Sequence, residues 1–407
     1  MSADCGASSI HNSSLRAFAP TSPATPRLRV CVSLLFARQL LLGGASYFGG
    51  AEVRGATFVF GLACDPALEV HVVVSGAETM PVVRPDNITV HFRPSVSFFE
   101  GHMDDPVRSI WGVIDADVYL AFGANEATAE LARFCQSHGS AFLLSIASDC
   151  AFDDFVGEHS TSCDAYGVQG HYHWYAMHHA QEVFVQTEQQ RAMFRALDHR
   201  DATVIRNPAL SSAREMPRVS PRFGGRLLWI GRIDPNKRYE EALLLAEALP
   251  YRRMIMVCNG IHSLAAKVPM IEEALPNLAL ADQVALPDID SLFRFSDVLV
   301  NTSIVEGFPN TFLQAGMHGI PIVSMTVDPD GMLATHGCGR VADGTREGLT
   351  RTVEALLSDP AAYAEASAAS ARWVQDRHDA TARIAELRAL IHQAAASHAR
   401  RRALHAV

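Results

Sequence analysis

The stretch Leu227-Leu228-Trp229-Ile230-Gly231-Arg232-Ile233-Asp234-Pro235-Asn236-Lys237 decides the fold. Its first four residues are apolar and suit a buried strand, and Gly231 to Lys237 reads as a turn. A helical run follows over 239–249, then a second apolar strand over 254–258. Strand, helix and strand in that order are the unit of a parallel-sheet α/β domain. The unit continues with a strand at 298–300, a loop, a helix, a short strand at 321–324 and a helix over 346–357.

The first half of the chain carries the same alternation. Apolar, β-rich runs at 30–36, 69–75, 87–91, 118–122, 141–146, 183–186 and 202–206 are separated by helical stretches such as 125–137 and 187–197. Between the halves, Asn207-Pro208 opens a loop rich in Ser, Pro and Arg that runs to Gly225, the one good linker. The fold class is therefore α/β, with two doubly wound, Rossmann-like domains facing each other across a cleft. The expected division is a disordered tail over 1–27, a first domain over 28–212, a linker over 213–225, a second domain over 226–373 and a C-terminal helix over 374–407. The last segment, from about 361, is Ala-rich and helical in period.

Length and composition bound the function. The 407 residues suffice for two domains with full cores. A formal net charge of −10 argues against general nucleic-acid binding, which needs a positive field. Eight cysteines with no CxxC and no zinc-ligand spacing read as reduced thiols of a cytoplasmic protein. The best apolar stretch, 30–42, is broken by Arg38 and Gln39, so no membrane span is expected. The first residues lack a basic start and an apolar block, so no signal peptide is expected.

Open α/β sheets bind ligands at the carboxyl ends of their strands. Two loops of the second domain follow strands. One holds Arg232 and Lys237, which can point two cations at one anion; a solvated turn is the competing reading. The other is Glu306-Gly307-Phe308-Pro309-Asn310-Thr311-Phe312-Leu313-Gln314, a loop running into a helix. A helix N-terminus favours a phosphate, a carboxylate such as Glu306 suits vicinal sugar hydroxyls, and the Gln314 amide suits ribose. Gly307 allows close backbone approach and Pro309 fits a first helical turn. Together these suit a sugar attached to a diphosphate.

Three features of the first domain say less. The loop Gly43-Gly44-Ala45-Ser46-Tyr47-Phe48-Gly49-Gly50 is neither GxGxxG nor a P-loop, though its glycines would let backbone amides approach a ligand. The segment His171-Tyr172-His173-Trp174-Tyr175-Ala176-Met177-His178-His179 invites a metal reading, but no nearby Cys or acidic pair completes a set, so packing is expected. Asp149 follows the strand at 141–146 and reads equally as a cleft-facing proton acceptor or as a turn residue.

These residues resemble the retaining GT-B glycosyltransferases of family four, the glycosyl transferases group 1, over about 30–380. Residues 229–238 look like that family's donor-phosphate loop, Asn301-Thr302-Ser303 with Glu306 to Asn310 like its donor-sugar motif, and Gly337-Cys338-Gly339-Arg340-Val341 like the strand that follows. Gly49-Gly50-Ala51-Glu52, 185–190 and 204–208 fit its first domain. The resemblance implies that Arg232 and Lys237 hold the diphosphate and that Glu306 binds hydroxyls of the transferred sugar. Gly307, Phe308, Pro309 and Asn310 would meet sugar and phosphate, Gln314 the ribose, and Gly49 and Gly50 the donor from the other side. It implies no metal and no cofactor, front-face attack with retention, and a C-terminal helix over 374–407 that crosses back to pack on the first domain. Two departures stand out. The family's second motif glutamate is Gln314 here, and its frequent first-domain histidine is missing near Ser148, which makes Asp149 a substitute candidate.

The function so implied is transfer of a sugar from a UDP- or GDP-linked donor to an acceptor hydroxyl, in polysaccharide or glycan biosynthesis. The acceptor would be a glycan or a lipid-linked glycan, the latter bringing weak peripheral contact at the inner face of a membrane. A degenerate GT-B protein that binds nucleotide sugars, and a GT-B nucleotide-sugar epimerase, are the alternatives.

Overall fold

The structure, a computed structural model, describes residues 27–43, 49–93, 109–164, 167–209, 218, 220–222, 224–282, 284 and 286–405. The tail expected over 1–27 therefore lies outside the described residues except for Arg27, as do 44–48 of the glycine loop and much of the linker.

Two sheets organise the chain. The first contains β1 (Leu28–Ser33), β2 (Leu68–Ser75), β3 (Val82–Val83), β4 (Ile88–Arg93), β5 (Val118–Phe122), β6 (Ala141–Ser145), β7 (Glu182–Val185) and β8 (Thr203–Val204). Their spatial order is β3-β4-β2-β1-β5-β6-β7-β8, parallel except for the short edge pair β3–β4. The second sheet contains β9 (Leu227–Arg232), β10 (Met254–Asn259), β11 (Leu278–Ala281), β12 (Val298–Asn301), β13 (Ile322–Ser324) and β14 (Gly339–Val341). Its order is β11-β10-β9-β12-β13-β14. That is the strand order of a dinucleotide-binding sheet, and its direction reverses between β9 and β12.

Both sheets are buried on both faces, as parallel sheets must be. Alternate residues of one strand feed opposite cores. Val30 and Val32 pack with Phe58, Val70, Leu120 and Leu387, while Cys31 packs with Trp111, Tyr119, Leu144 and Met177. In the second sheet Leu227 and Trp229 face Leu245, Met256 and Tyr363, and Leu228 faces Phe293, Phe312 and Ile322. Such fully buried runs explain why the strands stand out in the sequence as apolar blocks. The strand at 30–36 is shorter than expected, because the chain turns after Ser33 and forms a helix, Arg38–Leu42.

The C-terminal run is two helices. Pro360–Arg377 docks on the second sheet's lobe, where Tyr363 donates to Asp297 O at 3.0 Å and Val374 fills the space above Gly316. The chain then crosses at His378-Asp379, pairing Asp379 with Ala209 in a parallel bridge. Ala380–His405 packs its Leu387, Leu390, Ile391 and Ala394 against the first core. Two crossing segments thus lie side by side. His378 Nδ1 meets Asn207 O at 2.8 Å, and burial pushes its imidazole down to about 3, so the ring at the crossing is neutral.

Seven cysteines among the described residues are free thiols. Among these residues, no helix is long and apolar enough to cross a membrane.

Candidate active site

The turn after β9 and the loop after β12 meet where the order of the second sheet reverses. They are joined by residues whose importance the sequence did not reveal. Asn236 donates through Nδ2 to Val305 O at 2.9 Å and accepts from Val305 N at 3.0 Å, while its own carbonyl accepts from Ile304 N at 2.8 Å. Arg238, at φ 44, donates to Thr302 O at 2.7 Å. Thr302 donates to Lys237 O at 2.6 Å and accepts from the Trp229 indole at 2.9 Å. Asp234 caps the turn by accepting from Lys237 N at 3.0 Å. An amide that can donate and accept along a neighbouring backbone is the signal that could have singled out Asn236.

This stitching puts Lys237 Nζ on the carboxylate of Glu306, in a half-buried ion pair. Arg232, at the end of β9, lies more open and pairs with Asp234 at 3.1 Å. Asn310 to Met317 form the motif helix, which starts directly after Pro309 at φ −63. Phe308 and Phe312 are buried in the second core, while Gln314 sits one turn into the helix and is half-buried.

The first lobe closes over this loop. Asp149 N donates to Glu306 O at 3.2 Å. Asn310 Nδ2 donates to Gly50 O at 2.8 Å, and Asn207 Nδ2 donates to Asn310 Oδ1 at 3.0 Å. Gly49 and Gly50 open the helix Gly50–Ala63, with Glu52 folded back to accept from Gly49 N at 2.8 Å. A Cβ on Gly307 would lie 2.5 Å from Gln186 Nε2 and 2.7 Å from both Ala147 O and Gln190 Nε2, so only glycine fits between the lobes.

Asp149 begins a short 3-10 turn, Asp149–Phe152, after β6. Its Oδ1 accepts from Gln190 Nε2 at 2.9 Å. Burial raises its carboxyl from 3.8 to about 7, against the lowering effect of the Gln190 bond, and Glu306, Asp153 and Asp330 add repulsion. The geometry thus brings together Lys237, Glu306, Gly307, Asn310, Asp149 and Gly50. Arg232 and Gln314 stand on the flanks.

The His-rich segment forms the helix Gly170–His179. His173 is buried and pairs with Asp164 at 3.3 Å. Trp174 stacks on His178 with centroids 4.6 Å apart, and Arg133 lies over Tyr175 at 5.1 Å. Among the described residues no group of three His, Cys, Asp or Glu side chains could hold a metal ion.

Residues 224–359 match the model of the family described as glycosyl transferases group 1. The match falls on the second lobe. The chain superposes on a sucrose-phosphate synthase from Thermosynechococcus elongatus with a TM-score of 0.74 at 14% identity, covering 91% of this chain and 100% of that one. HepE of Anabaena, solved in complex with UDP-glucose, gives 0.67 at 15%, covering 89% of this chain and 100% of its own. WaaG, a glycosyltransferase involved in lipopolysaccharide biosynthesis, gives 0.62 at 15%, covering 89% and 99%. At such identities the likeness is one of fold, and the fold is GT-B. No curated protein matches the chain at a significant level.

Proposed function

We propose that this protein is a retaining group 1 glycosyltransferase that moves a sugar from a nucleotide diphosphate to an acceptor hydroxyl. The observation that carries the reading is the Lys237–Glu306 pair at the sheet's switch point, facing Asp149 and Gly50 of the other lobe. The chemistry asks for charge at one end of the breaking bond and hydroxyl recognition at the other. Lys237 and Arg232 take the diphosphate, whose negative charge grows as the bond to the anomeric carbon breaks. The N-terminus of the Asn310–Met317 helix adds its free amides. Glu306 takes vicinal hydroxyls of the transferred sugar, and Gln314 the ribose.

As the anomeric C–O bond to the phosphate breaks, the acceptor oxygen forms its new bond on the same face. The acceptor proton passes to the departing phosphate oxygen. Asp149 then serves the sugar from the first lobe in place of a histidine, donating or accepting as its carboxyl gains or loses a proton near neutrality. Closure of the lobes excludes water and so suppresses donor hydrolysis. The neighbour bound to UDP-glucose supports a UDP-linked donor, with GDP the second base to test. A glycan or lipid-linked glycan is the proposed acceptor.

The test is nucleotide release from labelled UDP- and GDP-sugars, with and without glycan acceptors, and the anomeric coupling of the product by NMR. Acceptor-dependent release with the donor's anomeric configuration kept is expected. Sugar conversion that needs no acceptor would indicate an epimerase instead, and binding without turnover a degenerate enzyme.

A further inference from the structure

The helix Glu188–Asp198 of the first lobe begins against the second lobe. Its opening amides need acceptors from outside the helix. Thr187 takes the Gln190 amide at 3.0 Å. The two amides before it cross the cleft: Glu188 N donates to Asp330 Oδ2 at 3.2 Å and Gln189 N to Asp330 Oδ1 at 3.0 Å. Asp330 stands at φ 52 in the turn Pro329–Gly331, a left-handed position that Asp and Asn tolerate best after glycine. Its Oδ2 also accepts from Arg206 Nη1 at 2.7 Å, and both side chains are only 9% exposed. A carboxylate held by two helix-opening amides and a guanidinium is a strong, directional contact.

The same first turn of helix carries Gln190, which is fully buried. Its Oε1 accepts from Gln186 N at 2.8 Å, and its Nε2 holds the Asp149 carboxyl. Asp149 in turn donates its amide to Glu306 O, and Gly307 lies flat on Gln186 and Gln190. The path from Asp330 to the Glu306 loop therefore leaves the second lobe, passes through one helical turn of the first, and returns to the second.

We propose that Asp330 is a positioning residue. By anchoring the first turn of the Glu188–Asp198 helix across the cleft, it fixes Gln190, and through Gln190 it sets the Asp149 carboxyl over the Glu306 loop. The sugar-facing carboxyl of the first lobe is thus in place only when the lobes are latched. The latch itself is structural; its effect on turnover rests on the glycosyl transfer proposed above.

The test reads backbone amides by hydrogen exchange in the full chain. Asp330→Asn keeps the backbone angle and one oxygen but removes the charge and one acceptor. Exchange at Glu188 and Gln189 should rise on the order of tenfold or more, and exchange at Asp149 should rise with it. Asp330→Gly, which accepts the same angle without a Cβ, should give the same pattern. Gln190→Ala should raise exchange at Asp149 while leaving Glu188 and Gln189 protected. In the transfer assay Asp330→Asn should lower kcat with little change in donor KM, and adding it to Gln190→Ala should cost nothing further. Unchanged exchange at Glu188 and Gln189 overturns the latch. A rise there without one at Asp149, or fully additive losses in kcat, overturns the relay. A wild-type chain that shows the exchange pattern yet transfers no sugar supports the latch and sinks the proposed reaction.

Discussion

Replacing Asp149 with asparagine should remove a pH dependence that the wild-type protein carries in its stability. The carboxyl goes from 3.8 to about 7, chiefly because folding buries it. At about 1.4 kcal/mol per tenfold change in proton affinity, that difference is worth at most about 4 kcal/mol, and Asp149 is only half-buried, so water recovers part of it. The sign follows from proton counting. Between pH 4 and 7 the folded state holds this proton and the unfolded state has lost it, so stability falls as pH rises through that window. Asparagine has no proton to lose and keeps a carbonyl for Gln190. Urea unfolding of both proteins at pH 5, 6, 7 and 8 measures the difference. The advantage of Asp149→Asn should grow by about 1 kcal/mol per pH unit from 5 to 7 and level off by pH 8. A difference that stays flat over this range refutes the account of a carboxyl destabilised by burial. A ¹³C titration of the Asp149 carboxyl gives the same quantity directly, and a midpoint near 4 would refute it as well.

Four other outcomes follow from the site. Lys237→Ala removes the cation proposed to face the leaving diphosphate and should cost about 10²-fold or more in kcat; unchanged turnover would count against the donor assignment. Gly307→Ala puts a methyl group into Gln186, Gln190 and Ala147, so it should separate the lobes, seen as a larger radius in small-angle scattering with activity reduced. Asn236→Ala frees the Glu306 loop from the Lys237 turn and leaves the Val305 groups unpaired. It should cost roughly 1–3 kcal/mol in the second lobe's stability and weaken nucleotide-sugar binding by calorimetry. Gln314→Glu should preserve or raise affinity for UDP or GDP, and a clear loss would refute the ribose contact.

Much of the fold was legible because buried parallel strands are apolar on both faces. Strands β2, β5, β6 and β10 fall within about a residue of the apolar runs that announced them, while β9 runs two residues further, through Gly231 and Arg232. The strand Leu278–Ala281 went unread, since Leu-Ala-Leu-Ala lacks β-branched residues and resembles a helix in composition. The strand expected at 202–206 shrinks to Thr203–Val204, because the chain leaves the sheet there to reach the crossing at Asn207. The C-terminal run was expected to cross back onto the first domain from about 374; the break itself falls at His378, between Pro360–Arg377 and Ala380–His405, and no local pattern marked it.

By itself the sequence determined the layers, the two loops at the strand ends and the residue types that suit a sugar diphosphate. These are local properties: periodicity, turn chemistry and the charge carried by a short segment. Only the tertiary structure decided that Lys237 rests on Glu306, that Asn236 binds their loops together, and that Asp330 reaches a helix 142 residues earlier in the chain. Those contacts join segments far apart along the backbone, and no local pattern specifies which distant amide a carboxylate will find. The raised carboxyl of Asp149 is of the same kind, since it arises from burial and from neighbours that only folding assembles.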